Sequence, residues 1–269
     1  ATLWPYHRKG TKRMNENALY RPMDSVEIMS LAQMAPDNVM DEARRILEMM
    51  VGYKELRMMY ACALKEIRTK FEVLNAEFNV RYQRNPINFI NTRLKSNQSI
   101  LEKMQRRRIA FSLENLENSI HDLAGIRIIC SYVDDIYQLS EALLRQDDVE
   151  LIARKDYIKR SKPNGYRSLH LIVRIPVFFA DQKRELPVEV QIRTIAMDFW
   201  ASLEHQMKYK QSVPEQEDVV SQLRLCAERI SVLDEEMMSL RRRIEAAKDK
   251  PTQDDILFEK LLNLEKPIE

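Results

Sequence analysis

The chain has 269 residues, which is enough for one large domain or two small ones with a substantial core. Apolar residues make up 45% and charged residues 31%, a composition typical of a soluble globular protein with long helices. The net charge of +2 does not indicate a polyanionic partner, and the 3 cysteines form no C-x-x-C pair, which argues against a disulfide framework or zinc knuckle. The cysteine usage fits a reducing cytosol, so we expect a cytoplasmic protein. No apolar run approaches membrane-spanning length, and we expect no membrane partner.

Residues 1–36 show no sustained hydrophobic period, and we interpret them as an N-terminal arm without chemistry. Asp37 follows a proline and can cap a helix. The apolar residues that follow alternate spacings of four and three, and Arg57 is the one polar residue in the series. The stripe predicts a long helix over 37–84, packed on the domain core or on another subunit; its members are Ile46, Met50, Tyr53, Tyr60, Leu64, Ile67, Phe71, Leu74 and Phe78.

The middle of the chain, 85–210, mixes strand and helix patterns and is interpreted as one domain. Strands are predicted over 87–95, 126–132, 149–158, 168–179 and 186–194, and helices over 99–107, 134–146 and 195–210. Asn97 is an alternative start for the first of these helices. The segment 113–120 is a loop or a short helical turn, and 181–185 is a hairpin loop.

The strand 186–194 has one apolar and one polar face. Val188, Val190 and Ile192 alternate with three polar residues, so Glu189 and Arg193 share a face with Gln191 between them. Such a face is either solvated or the floor of a site.

Two basic segments favour a phosphate-bearing ligand over a long nucleic acid, because they lie within a nearly neutral chain. The first segment holds Arg81, Arg84, Arg93, Lys95, Lys103, Arg106, Arg107 and Arg108, and the second holds Arg154, Lys155, Lys159, Arg160, Lys162, Arg167 and Arg174.

Asp122 precedes a predicted strand and Gly125, which suits either a metal-binding carboxylate or a turn-forming residue. We discount a metal hydrolase based on the His121-Asp122 pair, because the other histidines lack suitable spacing. Asp122 and Glu189, beside neighbouring strands, can instead hold Mg²⁺ through oxygen. Tyr166, in a Pro-Asn-Gly turn, could stack on a base.

Cations near these carboxylates complete the parts needed for phosphoryl-type transfer. They are Arg93, Lys95, Lys103, Lys162 and Arg193. The sequence contains neither a G-x-x-x-x-G-K-[ST] loop nor a kinase glycine-rich loop, so neither common ATP-binding scaffold applies.

The C-terminal segment, 211–269, predicts helices and is interpreted as an oligomerisation region. Between 215 and 248 a second heptad stripe predicts a long helix that packs on another helix of its own or of a partner; its members are Val219, Leu223, Cys226, Ile230, Leu233, Met237, Leu240 and Ile244. A last helix is predicted after Thr252.

Four ordered motifs resemble those of the RelA/SpoT-type (p)ppGpp synthetases, and the likeness is closest to the small single-domain alarmone synthetases. The motifs begin at Asp122 (DLAGIR), Lys162 (KPNGYRSLH), Val188 (VEVQIRT) and Ala196 (AMDFWASLEH). The resemblance implies an α+β fold related to nucleotidyltransferases: a mixed, mostly antiparallel five-stranded sheet flanked by helices, with long N- and C-terminal helices. It also implies transfer of the β,γ-pyrophosphate of ATP to the 3′-hydroxyl of GDP or GTP, a homotetramer and Mg²⁺ as cofactor.

The resemblance further implies roles for individual residues. Asp122 and Glu189 would be the metal ligands and catalytic residues, with Glu189 activating or orienting the 3′-hydroxyl. Residues expected to bind ATP are Arg93 and Arg127, on either side of adenine, and Lys95, Ser99 and Lys103 at the phosphates. Residues expected to bind GDP or GTP are Tyr166 against guanine, with Lys155, Lys162, His170, Gln191, Arg193 and Asp198 around it.

The competing hypothesis is a non-catalytic nucleotide- or RNA-binding regulator on the same fold, which would use the basic segments. A protein that only binds needs neither Asp122 nor Glu189, and both are present. RNA binding is therefore possible but is not indicated.

Overall fold

The computed structural model describes residues 37–209, 216–247, 256–257 and 261. The predicted arm over 1–36 and most of the helix predicted after Thr252 lie outside the described residues. The chain divides into two compact units, Ala1–Gly52 and Tyr53–Glu269. In the first unit the described residues are helical, and the side chains of 40–51 are exposed. All the other elements belong to the second unit.

The helices and strands alternate along the middle of the chain much as the periodicity predicts. In chain order they are α1 (Asp37–Tyr82), β1 (Ile87–Leu94), α2 (Asn97–Arg107), α3 (Leu113–Ser119), β2 (Ala124–Cys130), α4 (Val133–Leu144), β3 (Glu150–Asp156), β4 (Leu169–Phe178), β5 (Lys183–Thr194), α5 (Ile195–Tyr209) and α6 (Gln216–Ala247). Within the described residues, no helix is both long enough and apolar enough to span a membrane.

The predicted start of the last strand was wrong for a local reason. Strand β5 begins at Lys183, so much of the predicted hairpin loop over 181–185 is strand, and the turn closes through a hydrogen bond from Phe179 N to Gln182 O. Helix α2 begins at Asn97, the earlier of its two predicted starts, because the side chain of Ser96 accepts a hydrogen bond from Ser99 N and caps the helix.

The five strands form one sheet in the order β1-β2-β5-β4-β3. Strands β1 and β2, β4 and β5, and β3 and β4 pair antiparallel, whereas β2 and β5 pair parallel. The predicted fold class, a mixed and mostly antiparallel sheet with flanking helices, is confirmed.

The apolar face of the sheet lies in the main core of the second unit. Alternate residues of β2, β4 and β5 are fully buried there, among them Ile126, Leu171 and Val190. The α1 stripe joins the same core from Tyr60 to Phe78. Packing of this part of α1 on the domain core, one of the two predicted alternatives, is therefore confirmed.

The opposite face of the sheet carries polar side chains in two cross-strand rows. In the first row, Arg93 of β1 pairs with Gly125 of β2, which pairs with Glu189 of β5. Because paired residues share a face, the missing side chain of Gly125 leaves open space between Arg93 and Glu189. The second row lies two residues further along each strand, on the same face, and consists of Asn91, Arg127, Gln191, His170 and Lys155.

Helix α6 packs on the domain through part of its apolar stripe and through polar residues beside it. Leu223 and Ile230 of the stripe are partly buried against the cluster that contains Trp200. Ala227 and Asp234 are buried, and Arg241 binds both oxygens of Asp134 at 3.0 and 3.1 Å. Most of the predicted stripe is exposed: Val219, Cys226, Leu233, Met237, Leu240 and Ile244. Heptad spacing identifies the apolar side of a helix, whereas this contact adds a small residue and charged side chains to two members of the stripe.

Candidate functional site

Glu189 lies in the middle of the polar face, and each of its oxygens contacts a neighbour. Gln191 Nε2 donates to Oε2 at 3.0 Å, and His170 Nδ1 lies 3.4 Å from Oε1. The side chain of Glu189 is 22% exposed, so it is accessible from above the sheet. Strand alternation and the β4–β5 register together bring these three residues into contact.

Asp122 lies in the turn before β2 and is held between two lysines. Lys95 Nζ is 3.0 Å from Oδ2, and Lys103 Nζ is 2.8 Å from Oδ1. Lys95 follows the last residue of β1 and Lys103 projects from α2, so the strand end and the next helix converge on one carboxylate. Asp122 is also close enough to Glu189 for its negative charge to raise the pKa of Glu189.

Both carboxylates are held ionised despite partial burial. Burial raises the pKa of Asp122, but the hydrogen bonds and charges of Lys103 and Lys95 outweigh it and leave the pKa below its usual value. Burial likewise raises the pKa of Glu189, and contacts with His170 and Gln191 bring it below its usual value. Burial lowers the pKa of His170 against the opposing effect of Glu189, so neutral imidazole is favoured. The site therefore offers two carboxylates to a cation or a proton.

Arg193 is buried beneath the polar face, and its side chain is only 5% exposed. Its guanidinium donates to Tyr166, Gln191, Asp198 and Ser168 at 2.5, 2.8, 3.1 and 3.3 Å, respectively. The structure thus brings Arg193 together with the predicted acceptor-binding residues, beneath them rather than at the surface.

Tyr166 belongs to a turn in which Gly165 has a φ of +91°, a conformation that side chains with a Cβ rarely adopt. A Cβ at Gly165 would also lie 2.6 Å from Ala227 Cβ of α6. Asn164 Nδ2 donates to Glu204 of α5 at 3.0 Å. Helices α5 and α6 therefore hold the turn that presents Tyr166.

The ring of Tyr166 is flanked by cations. The Lys162 ammonium lies 4.5 Å from the ring centroid, and the Arg193 guanidinium lies 5.1 Å from it. Lys162 also lies over Tyr157, whose ring packs edge-on against Tyr166 and His170. A base that stacks on the Lys162 side of Tyr166 has to displace this ammonium.

The remaining predicted residues surround the two carboxylates less closely. Arg127 is in the Gln191 row and pairs with Asp198 at 3.2 Å. Arg93 is exposed at the end of β1, and Lys155 is exposed on β3 at the far side of the sheet. Ser99 lies in the first turn of α2, where its hydroxyl is 2.9 Å from that of Ser96.

Three supporting residues were missed by reasoning from the sequence. Arg57 of α1 donates to Lys95 O at 3.0 Å, which fixes the backbone beside Asp122. Its signal was available, since it is the one charged residue within the apolar stripe of α1. Tyr157 and Ala227 carry no comparable signal, because their roles come from packing between distant parts of the chain.

The residues present fit a magnesium ion. Asp122 and Glu189 lie near each other. At sites that bind phosphate-bearing substrates, Mg²⁺ usually takes one or two carboxylates and completes its shell with water and substrate phosphates. A full protein cage is not built: no three His, Cys, Asp or Glu side chains cluster suitably in the part of the chain that the structure describes. The donor set thus matches a metal that arrives with a polyphosphate.

A mixed sheet with paired carboxylates, a lysine clamp on one side and a tyrosine turn on the other defines a nucleotide-dependent transferase site. Comparisons with known proteins identify the class further. Residues 92–213 match the model of a region found in RelA/SpoT proteins. The GTP pyrophosphokinase YwaC of Bacillus subtilis is 38% identical over 77% of this chain and 97% of the relative, and YjbM of the same organism is 38% identical over 70% and 88%.

Solved structures agree with these relatives. Small alarmone synthetase 2 from Bacillus subtilis is 41% identical with a TM-score of 0.64, over 71% of this chain and 98% of that one. Small alarmone synthetase 1, bound to its product pppGpp, is 36% identical with a TM-score of 0.65, over 72% and 98%. The chain belongs to the RelA/SpoT family, and within it to the small alarmone synthetases.

Proposed function

We propose that this protein is a GTP pyrophosphokinase that transfers the β,γ-pyrophosphate of ATP to the 3′-hydroxyl of GDP or GTP, giving AMP and (p)ppGpp in the stringent response of the cytoplasm. The observation that carries the reaction is the neighbouring pair Asp122 and Glu189, with lysines on one side and Tyr166 on the other. The relatives YwaC and YjbM bear the name of this activity.

The donor side is assigned to the end of β1 and the start of α2. Lys95 and Lys103 would bind the phosphates of ATP, with Ser99 beside them in the first turn of α2. Arg93 and Arg127 would hold adenine between their guanidinium planes. Arg93 lies in the same cross-strand row as Glu189, and Arg127 lies in the same row as Gln191. Small alarmone synthetase 1 has been solved with AMPCPP, which supports an adenine nucleotide as donor.

The acceptor side is assigned to the Tyr166 turn. Guanine would stack on the Tyr166 ring in place of Lys162, whose ammonium would then meet the acceptor phosphates with Lys155 and His170. Gln191 and Asp198 would line the nucleoside pocket, with Arg193 beneath them. The pppGpp-bound relative supports a guanine nucleotide at such a site.

Glu189 is the residue that we assign to the proton of the 3′-hydroxyl. The hydroxyl oxygen attacks the β-phosphorus of ATP, the bond from that phosphorus to the α,β-bridging oxygen breaks, and AMP departs with the bond's electrons. The hydroxyl proton passes to Glu189, which is ionised and accessible. Asp122 and Glu189 would hold Mg²⁺, which when bound neutralises the phosphate charge that develops during transfer.

We assign catalysis to 85–210, with 37–84 as a supporting helix, 1–36 as an arm and 211–269 as the region that forms a homotetramer. The exposed stripe of α6 supports self-association because its Leu233, Met237 and Leu240 are each nearly half exposed. Light scattering on the full chain is expected to give about four times 31.9 kDa. Leu240→Glu should lower that mass, whereas Val73→Glu, an exposed apolar position on α1, should not; a wild-type monomer would contradict the assignment.

The reaction is tested directly by incubating the full chain with ATP, Mg²⁺ and GDP or GTP. We expect AMP and a guanosine nucleotide with a new 3′-pyrophosphate in equal amounts, and no product after chelation of the metal. If the protein binds guanine nucleotides or RNA but releases no AMP with any guanine acceptor, the non-catalytic regulator is the correct reading.

A further inference from the structure

The Arg193 guanidinium begins a hydrogen-bonded ring that closes on Glu189. A single nitrogen, Nη2, donates to the Tyr166 hydroxyl at 2.5 Å and to Gln191 Oε1 at 2.8 Å. The Tyr166 hydroxyl lies 2.8 Å from His170 Nε2. His170 Nδ1 and Gln191 Nε2 then contact the two oxygens of Glu189 at 3.4 and 3.0 Å. The residues of this ring, in order, are Arg193, Tyr166, His170, Glu189 and Gln191.

Arg193 fixes the direction of the two bonds that it makes in this ring, because a guanidinium can donate hydrogen bonds but cannot accept them. Tyr166 must therefore accept from Arg193, and its own proton is available to His170 Nε2 at 2.8 Å. A His170 ring that accepts at Nε2 carries its proton on Nδ1, the nitrogen that lies 3.4 Å from Glu189 Oε1. On the other side, Arg193 fixes the oxygen of Gln191, so the amide NH₂ faces Glu189.

The two paths act together on one carboxylate. Each Glu189 oxygen has two lone pairs, and the ring occupies one on each. The remaining lone pairs are left for the substrate hydroxyl and a cation. The same two contacts fix the orientation of the carboxyl plane. A carboxylate held in this way needs no reorganisation when the hydroxyl arrives.

We propose that Arg193 is a positioning residue for the catalytic carboxylate, acting on Glu189 through Tyr166 and His170 on one side and through Gln191 on the other. Tyr166 thereby has two separable parts: its ring faces the acceptor base, and its hydroxyl belongs to the ring of hydrogen bonds that orients Glu189. The inference rests on the proposed function, and it assigns Arg193 a role apart from direct contact with the nucleotide.

Burial of Arg193 supports this role. The other bonds of its guanidinium go to Asp198 and Ser168, and the whole residue is only 4% exposed. A group with so little free surface contacts a substrate poorly, but it is well placed to set the orientation of its neighbours. A purely structural arginine would stabilise the fold and leave the turnover number of the folded enzyme unchanged.

The first test is Tyr166→Phe, which keeps the aromatic ring and removes only the hydroxyl. We expect kcat at saturating ATP and acceptor to fall about 10- to 100-fold, as is usual when the partner that orients a catalytic group is lost. The KM for GDP or GTP should change less than about threefold, since ring stacking is retained. Tyr137→Phe is the matched control: it removes a hydroxyl that lies 3.2 Å from Asp156 Oδ2, on α4 and outside the hydrogen-bonded ring, and should leave kcat unchanged.

The second test combines Tyr166→Phe with Arg193→Lys. Lysine keeps the positive charge but cannot serve four acceptors from one fixed plane. If both substitutions act through one ring, the double variant should have nearly the kcat of Arg193→Lys alone. Should Arg193→Lys fail to fold, as judged by its thermal unfolding, the Tyr166→Phe comparison alone decides the matter.

The outcomes separate this inference from the reaction itself. A wild-type protein that releases no AMP contradicts the proposed function. If the wild type is active and Tyr166→Phe keeps its full kcat, the positioning role of Arg193 is contradicted and the proposed function is not. A Tyr166→Phe variant that loses only acceptor affinity, or a double variant whose losses multiply, also contradicts the positioning role.

Discussion

The Glu189→Gln variant is expected to lose alarmone synthesis by about 10³-fold, within the range attributed to a general base. Glutamine has nearly the same shape, but it cannot accept the proton of the 3′-hydroxyl or supply a charged oxygen to Mg²⁺. Its amide also places a donor opposite His170 or Gln191, where the native carboxylate accepts from both. The measurement is the rate of AMP and 3′-pyrophosphorylated guanosine release at saturating substrates.

The loss should be chemical, and thermal unfolding should be nearly unchanged, because the Glu189 side chain is partly exposed. Glu185→Gln is the matched control: Glu185 is on the same strand but pairs with Lys183 at 2.7 Å, away from the site, so its variant should keep full activity. Retention of more than a tenth of the wild-type rate by Glu189→Gln would show that another group takes the proton.

The polar floor of the site could be predicted from strand periodicity alone. Alternation in β5 fixed which residues share a face, and the structure retains this pattern, with Val188, Val190 and Ile192 buried. Periodicity cannot supply the register between strands that are distant in sequence. The rows that align Arg93 with Glu189, and Arg127 with His170, depend on that register and emerged only from the fold.

The supports of the site were harder to foresee than the site itself. A turn glycine at Gly165 could be recognised from the sequence, but its contact with Ala227 depends on a helix more than 60 positions away. The heptad stripe of α6 drew attention to the apolar side of that helix, but most of the stripe is exposed and Ala227, Asp234 and Arg241 carry much of the contact with the domain. Hydrophobic spacing predicts which side of a helix seeks a partner, not which side its own domain provides.

The aromatic site also shows why a predicted role and an observed position can differ in detail. The resemblance implies that Tyr166 stacks on guanine and that Lys162 meets the acceptor's phosphates. In the structure the Lys162 ammonium lies over the Tyr166 ring. A cation over an aromatic ring contributes about 0.5–1 kcal/mol at an exposed site, so a stacking base can replace it at modest cost.

Lys95 and Lys103 show the same exchange on the donor side. Both ammonium groups pair with Asp122 and compensate its charge. In the proposed function the triphosphate of ATP would compete for these lysines, and their departure would leave the Asp122 oxygens for a cation. Binding of the donor and release of a metal ligand would then be linked through two side chains.

The Asp122→Asn variant tests this linkage. We expect synthesis to fall about 10²- to 10³-fold, because a neutral amide is a poor Mg²⁺ ligand and loses the charge stabilisation that the metal gives the phosphates. ATP binding in the presence of a chelator should instead be unchanged or tighter, since Lys95 and Lys103 no longer have to leave a carboxylate. Calorimetric titration of ATP without metal, beside the turnover assay with Mg²⁺, measures the two effects separately.

The control for this variant is Asp148→Asn, which removes one charge from another lysine pair, with Lys70 at 2.6 Å, far along the chain from the donor residues. It should lower stability slightly and change neither ATP binding nor turnover. Asp122→Asn should lower the free energy of unfolding by only about 1 kcal/mol. The loss is small because the remaining amide oxygen still accepts from one lysine. A variant in which metal-free ATP binding and turnover fall together would make Asp122 a structural partner of the lysines, and the metal would then need a different ligand beside Glu189.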